Sequence, residues 1–273
     1  MRPDLDAVTS SWMVRRFIPG WSDAEMKFVP AGQTLNGMNP DADENITHVD
    51  TGRGRFDHHQ FSEKLSASLI LYNYIEHHDL AHGTTKKALK RLAQFANVID
   101  NFGEMYFPDP TADVYDLGIA PLIDSLAAQL NDDNKLIEMS CTLLDASLSL
   151  LKNKVEGEEE LSKGIEFISP AGKSIGLDTV NEEAVKIAQK KGYQLVVKKD
   201  PVKGFVRIKV PPDSPYELTR LYEILKSEDP KADWFLHASL HMLLNGSSKN
   251  PSMKPSVLSL QQVIDIIKKL HTA

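Results

Sequence analysis

Residues 46–60 read ITHVDTGRGRFDHHQ, and the fold class turns on them. Ile46, Thr47 and Val49 form a short β-branched run that closes on Asp50, and Thr51-Gly52 then breaks the run ahead of Phe56-Asp57-His58-His59-Gln60. β-Branched residues fit a pleated surface and glycine interrupts it, so 46–50 is predicted to be a strand with a carboxylate at its end. The boundary between strand and loop is where α/β sheets build their sites. Turn chemistry alone accounts for Asp50 equally well. Asp57-His58-His59 is more specific. Two imidazoles titrate near neutral pH and can ligate metal, and a carboxylate beside them can fix their orientation.

Outward from this stretch, apolar spacing predicts helices over 7–18, 67–78 and 84–100, and a long pair across 114–153 broken at Asn131-Asp132-Asp133-Asn134. KFVPAG (27–32) is a further strand candidate. The charged segment KNKVEGEEELSKG, 152–164, has two glycines and no apolar period, so it is expected to link two domains. Beyond it lie a strand pair (165–178), a helix (181–192), strands at 193–200 and 204–212, a helix over 216–229, a helical segment around WFLHASLHMLL (234–244), a polar loop and a terminal helix from Ser259. The expected architecture is α/β, with domain 1–151, linker 152–164 and a smaller α+β domain at 165–273.

The chain has 273 residues, 41% hydrophobic and 25% charged, which excludes disorder and repetitive fibres. No apolar run is long enough for a membrane span and the first residues lack a secretory signal, so a cytoplasmic protein with no membrane partner is expected. Cys141, the single cysteine, sits among helically spaced apolar residues and is expected to be a small core residue. The net charge of −7 is unevenly divided. Residues 161–273 carry 17 Lys and Arg against 12 Asp and Glu, a balance of +5, which leaves −12 for residues 1–160. An acidic portion suits cations and a basic portion suits an anionic substrate, whereas a net acidic chain argues against indiscriminate binding to long nucleic acid.

Two more acidic positions join the series. Asp4 and Asp6 in Pro3-Asp4-Leu5-Asp6-Ala7 are two apart, so in extended backbone one could face each of two metal ions; the alternative for Asp4 is a helix N-cap. Asp100 follows a long helix in NVIDNFG (97–103). Oxygen and nitrogen donors from four separate elements, without thiolates, suit two ions of Mn²⁺ or Mg²⁺.

The series PDLDAVTSSW, ITHVDTG, FDHHQ and NVIDNFG resembles motifs one to four of the DHH phosphoesterase superfamily. DHHQ followed by SASLILYNYI is similar to the melanocyte-proliferating-gene branch of DHH-like exonucleases. The resemblance covers about the first 130 residues. It implies a parallel-sheet N-terminal catalytic domain in which Asp4 binds one metal, Asp6, His58 and Asp100 bind the other, and Asp50 bridges both. It further implies that His59 contacts the scissile phosphate or leaving group and that Asp57 holds His58. Motif one in that superfamily begins with a histidine four residues before the first Asp, at the end of a strand. Only three residues precede Asp4, so the reading frame is expected to begin upstream of Met1.

The resemblance also implies a C-terminal domain that grips substrate, a role that falls by position and chemistry to His237, Ser247, Ser248 and Lys249, with Arg207 alternating with Lys209 on a strand. Turn chemistry is the plainer account of the 245–250 loop, and a solvated strand face that of Arg207 and Lys209. His237 and His241, four apart, would share a helical face; His48 shares a strand face with Asp50; His77, His78 and His82 belong to a helix end and loop. The expected activity is metal-dependent hydrolysis of phosphodiester bonds in nucleotides or short oligonucleotides, degraded from an end. The alternatives are a pyrophosphatase, a cyclic-dinucleotide phosphodiesterase, or a nucleotide or RNA binder without turnover. Homodimer formation is left open.

Overall fold

A computed structural model describes residues 2–246, 250 and 252–272. The chain divides into two compact units, Met1–Lys152 and Asn153–Ala273. The first is helical. Asp4 caps α1 (Leu5–Phe17) by accepting the Ala7 amide at 3.0 Å, and Ser66 caps α2 (Ala67–His77) by accepting that of Leu69. Then come α3 (Gly83–Asp100), the short α4 (Asp113–Asp116), α5 (Ile119–Gln129) and α6 (Asp133–Ser162), which starts where Asp132 accepts the amides of Asn134 and Lys135. Val8, Trp12 and Met13 of α1, Leu71, Tyr72 and Ile75 of α2 and Leu89 and Leu92 of α3 form one buried core with Ile123 and Leu144.

The second unit holds a six-stranded sheet in the order β1-β2-β3-β4-β6-β5. Its strands are β1 (Ile165–Ser169), β2 (Gly172–Asp178), β3 (Leu195–Lys199), β4 (Val206–Lys209), β5 (Phe235–Leu236) and β6 (Met242–Asn245). Only β2 and β3 pair in parallel, across the crossover helix α7 (Glu182–Lys190). The period of two separates two cores. Leu195 and Val197 join Leu221 and Leu225 of α8 (Thr219–Glu228) and Ile264 of α9 (Leu260–Thr272), while Val196 joins Ile175, Leu177 and the α7 residues Ala184 and Ile187. None of the described helices is long and apolar enough to cross a membrane.

The α/β composition holds for the whole chain, but three expectations are corrected. Among the described residues of the first unit there is no parallel sheet: KFVPAG forms no ladder, and ITHVD contributes one isolated parallel bridge, Val49 with Phe56. A strand exists through its neighbour's N–H and C=O groups, and here those groups go to turns, as in Gln33 N–H to Pro30 and Ile46 N–H to Asp43. WFLHASLHMLL is not helical. β5 and β6 form a hairpin in which Leu240 turns at φ 60° and donates to the His237 carbonyl, because β4 offers β6 a ladder that a helix would forgo.

The third correction concerns 152–164, which continues α6 to Ser162 rather than forming an extended linker. Val155 and Leu161 are buried, and Gly157 lies against α7, where a Cβ would sit 3.0 Å from the Ala184 nitrogen. Glycine allows that approach between two helix backbones. Gly157→Leu is therefore expected to destabilise the protein by about 1–3 kcal/mol, despite leucine's better helix propensity, and to lower the urea midpoint. An unchanged or higher midpoint would show that α7 can give way.

Candidate metal centre

Local structure assembles most of this site. The Asp50 amide donates to the Phe56 carbonyl at 3.0 Å beside the Val49–Phe56 bridge, closing a loop that returns residue 58 to residue 50. Asp57, fully buried, braces the loop: Oδ2 accepts the Arg53 amide at 2.6 Å and Oδ1 accepts the His59 amide at 3.1 Å. His58 Nε2 consequently lies 3.2 Å from Asp50 Oδ1. Two distant elements complete the group. Asp100, at the end of α3, brings Oδ2 to 3.7 Å from His58 Nε2, and Asp6, in the first turn of α1, brings Oδ2 to 4.0 Å.

Asp6 is 2% exposed and accepts the Ala67 amide at 2.7 Å and the Ser68 amide at 2.9 Å, one on each oxygen. These are free N–H groups of the first turn of α2, where a carboxylate is favoured. Each carboxylate oxygen has two acceptor sites, so both bonds leave Asp6 able to ligate.

Asp6, His58 and Asp100 form one group of donor atoms within 4.8 Å of one another, and Asp50, His58 and His59 form another. In the second, His59 Nδ1 is already bound to Asp57 Oδ1 at 2.6 Å, which makes the first the better donor set, with Asp50 alongside. The Asp57 bond goes to His59, where the sequence reading had it holding His58. His58 Nε2 and Asp50 Oδ1 are both buried without a hydrogen-bond partner. Buried polar atoms are almost always satisfied, so this facing pair fits a cation between them. The donors are hard oxygens plus one imidazole, a set suited to a divalent cation such as Mn²⁺ or Mg²⁺.

The electrostatics agree. Burial, then the charges of Asp6, Asp4 and Asp100, push the Asp50 carboxyl from 3.8 to about 9. Burial and Asp6 push Asp100 to about 6, against the opposing influence of His58. Burial acts upward on Asp57 too, yet the hydrogen bonds from the His59 ring and from the His59 and Arg53 amides hold it below the usual carboxylate range.

Asp4 stands apart from both donor groups. It is exposed, it caps α1 as the alternative reading had it, and α1 begins at Leu5, so Asp4 and Asp6 do not alternate on extended backbone. It does share with Asp50 the lining of a cavity of about 470 Å³, whose apolar walls include Trp21, Met26, Phe28 and Val49. Asp124 of α5 escaped the sequence reading. Burial, then the charge of Asp4, raise its carboxyl, whereas a lone helical aspartate carries no signal of a neighbour over a hundred residues away.

The other candidates lie elsewhere. His48 is buried and accepts the Leu35 amide at 3.0 Å, a structural contact. Cys141 is half-buried and burial raises its thiol, which suits an inert residue. His237 accepts the Ser239 amide at 3.1 Å in the β5–β6 turn. Arg207 donates through Nη1 to Glu182, which also binds Lys198 at 2.5 Å. Ser247, Ser248 and Lys249 fall outside the described residues. Comparison with protein-family models gives no match, and comparison with curated proteins gives none.

A carboxyl whose folded-state pKa is raised keeps a proton that the unfolded chain would release, so its contribution to stability falls as pH rises, here from about 4 to about 9 for Asp50. A divalent cation displaces those protons and binds more tightly over the same interval. The gain in Tm on adding Mn²⁺ is expected to be larger at about pH 8 than at about pH 5.5. Asp50→Asn is expected to stabilise the metal-free protein at the higher pH by roughly 2 kcal/mol while reducing the Mn²⁺ effect. Equal shifts at both pH values in a thermal scan would contradict the assignment.

Proposed function

We propose that the protein is a divalent-metal-dependent phosphoesterase that hydrolyses phosphodiester bonds of nucleotides or short oligonucleotides using two ions, Mn²⁺ or Mg²⁺. The observation that carries this reading is the facing pair His58 Nε2 and Asp50 Oδ1, buried and unpartnered between Asp6 and Asp100. Asp6, His58 and Asp100 would hold one ion, Asp50 would contact both, and Asp4 would serve the second. Bound divalent cations supply Lewis acidity toward water and toward a phosphoryl oxygen.

The chain's own groups account for the rest. Asp57 fixes the tautomer of His59 by accepting from Nδ1, so Nε2 is the atom left to meet substrate, and the ring is 58% exposed at the rim. When doubly protonated, the ring can give its Nε2 proton to the departing oxygen, which otherwise leaves as a costly alkoxide, while Nδ1 keeps its bond to Asp57. The bonds from the Ala67 and Ser68 amides hold the Asp6 carboxylate in place inside the protein. The +5 balance of residues 161–273 suits recognition of an anionic substrate.

His58→Ala and Asp50→Asn are each expected to abolish Mn²⁺-dependent hydrolysis of bis-p-nitrophenyl phosphate, with far-UV circular dichroism unchanged. His59→Ala is expected to lower kcat by about 10²–10⁴-fold and to lose the effect selectively with leaving groups that need no proton, such as p-nitrophenolate. Full turnover by either His58→Ala or Asp50→Asn would refute the metal-centred reading.

A further inference from the structure

The centre is followed in the chain by a conspicuous aromatic position. α3 ends at Asp100, Asn101 is its C-cap, and Phe102 comes next with φ 55° and ψ 28°, the left-handed conformation. That position after a helix favours glycine, and a bulky residue there is a backbone outlier. Gly103 lies one residue later and is not at positive φ. Burial does not compensate for this arrangement, since the Phe102 side chain is 71% exposed. Its backbone does serve the helix end, the amide donating to the Ile99 carbonyl at 3.0 Å, but any residue could do that. A glycine would suit the backbone at 102 better, and most of the Phe102 side chain is left exposed.

We infer that Phe102 is a base-stacking residue of this site, receiving a nucleobase of the substrate next to the phosphate held at Asp50, His58 and Asp100; the inference rests on the phosphodiesterase reading. Two residues of chain reach no more than about 7 Å, which confines the Phe102 Cα to the neighbourhood of that of Asp100. Phe102 is left open to solvent, as is Tyr106, 87% exposed at the end of the 3₁₀ turn Gly103–Tyr106. A nucleotide joins a base with an apolar face, through its sugar, to a charged phosphate. An exposed ring beside a cation centre matches both, and stacking tolerates any base, which suits an enzyme acting on nucleotides without a fixed sequence.

The test is equilibrium binding of a fluorescein-labelled tetranucleotide with phosphorothioate linkages, in Mn²⁺, beside the same backbone bearing abasic sugars. Phe102→Ala and Phe102→Gly are expected to weaken binding of the base-bearing strand about tenfold or more, Phe102→Trp to retain it, and none to alter binding of the abasic strand. Phe102→Gly relieves the backbone strain while removing the ring, so equal losses in the alanine and glycine variants assign the effect to the ring. Unchanged discrimination between the two strands in both variants overturns the inference. So does a shift in oligomeric state by light scattering at unchanged discrimination, which would make the ring a contact between copies. Because binding is read without turnover, absence of wild-type hydrolysis would refute the phosphodiesterase reading while leaving the stacking result to stand or fall by itself.

Discussion

The carboxylate of Asp6, taken out of water and bound to the free amides that open α2, is the contact on which the first unit is arranged. An isolated buried carboxylate is costly, and two charge-assisted bonds at a helix N-terminus offset that cost. The bonds fix the start of α1 against the start of α2, 61 and 62 residues away in sequence, and so fix where the Asp6 oxygen meets the imidazole of His58. The same carboxylate raises its neighbours Asp50 and Asp100. One group thus organises the fold and creates the need for positive charge beside it.

That need sets the character of the centre. Proteins seldom bury carboxylates together unless protons or cations relieve the repulsion, and the relief available at neutral pH differs between the two raised groups. Asp50, near 9, stays protonated without a cation, whereas Asp100, near 6, is largely ionised. Asp57 occupies the opposite situation a few residues away. Fully buried but rich in donors, it remains ionised and orients His59. Adjacent carboxylates therefore take different parts because their surroundings differ.

The second unit follows simpler rules. Its sheet is covered by helices over each of its two cores, and the paired cations Lys198 and Arg207 meet on Glu182 across β3 and β4. Gly157 lets α6 approach the backbone of α7, and β3, buried on both faces, sends Leu195 and Val197 to one core and Val196 to the other.

The sequence alone fixed what depends on near neighbours. Apolar spacing places helices within two residues of the bounds of α1, α2 and α3. Their hydrogen bonds are satisfied by the chain's own backbone within a few residues. Tertiary structure decided what depends on distant partners. The 46–50 run had strand character but found no ladder, 152–164 looked like a linker until α7 was placed against Gly157, and 234–244 fitted a helix until β4 offered it hydrogen bonds. The choice of His59 over His58 as the partner of Asp57 was likewise invisible in the triplet, because it depends on how the loop turns the two rings. Periodicity records which residues avoid water, and only packing determines which backbone groups and charges they meet.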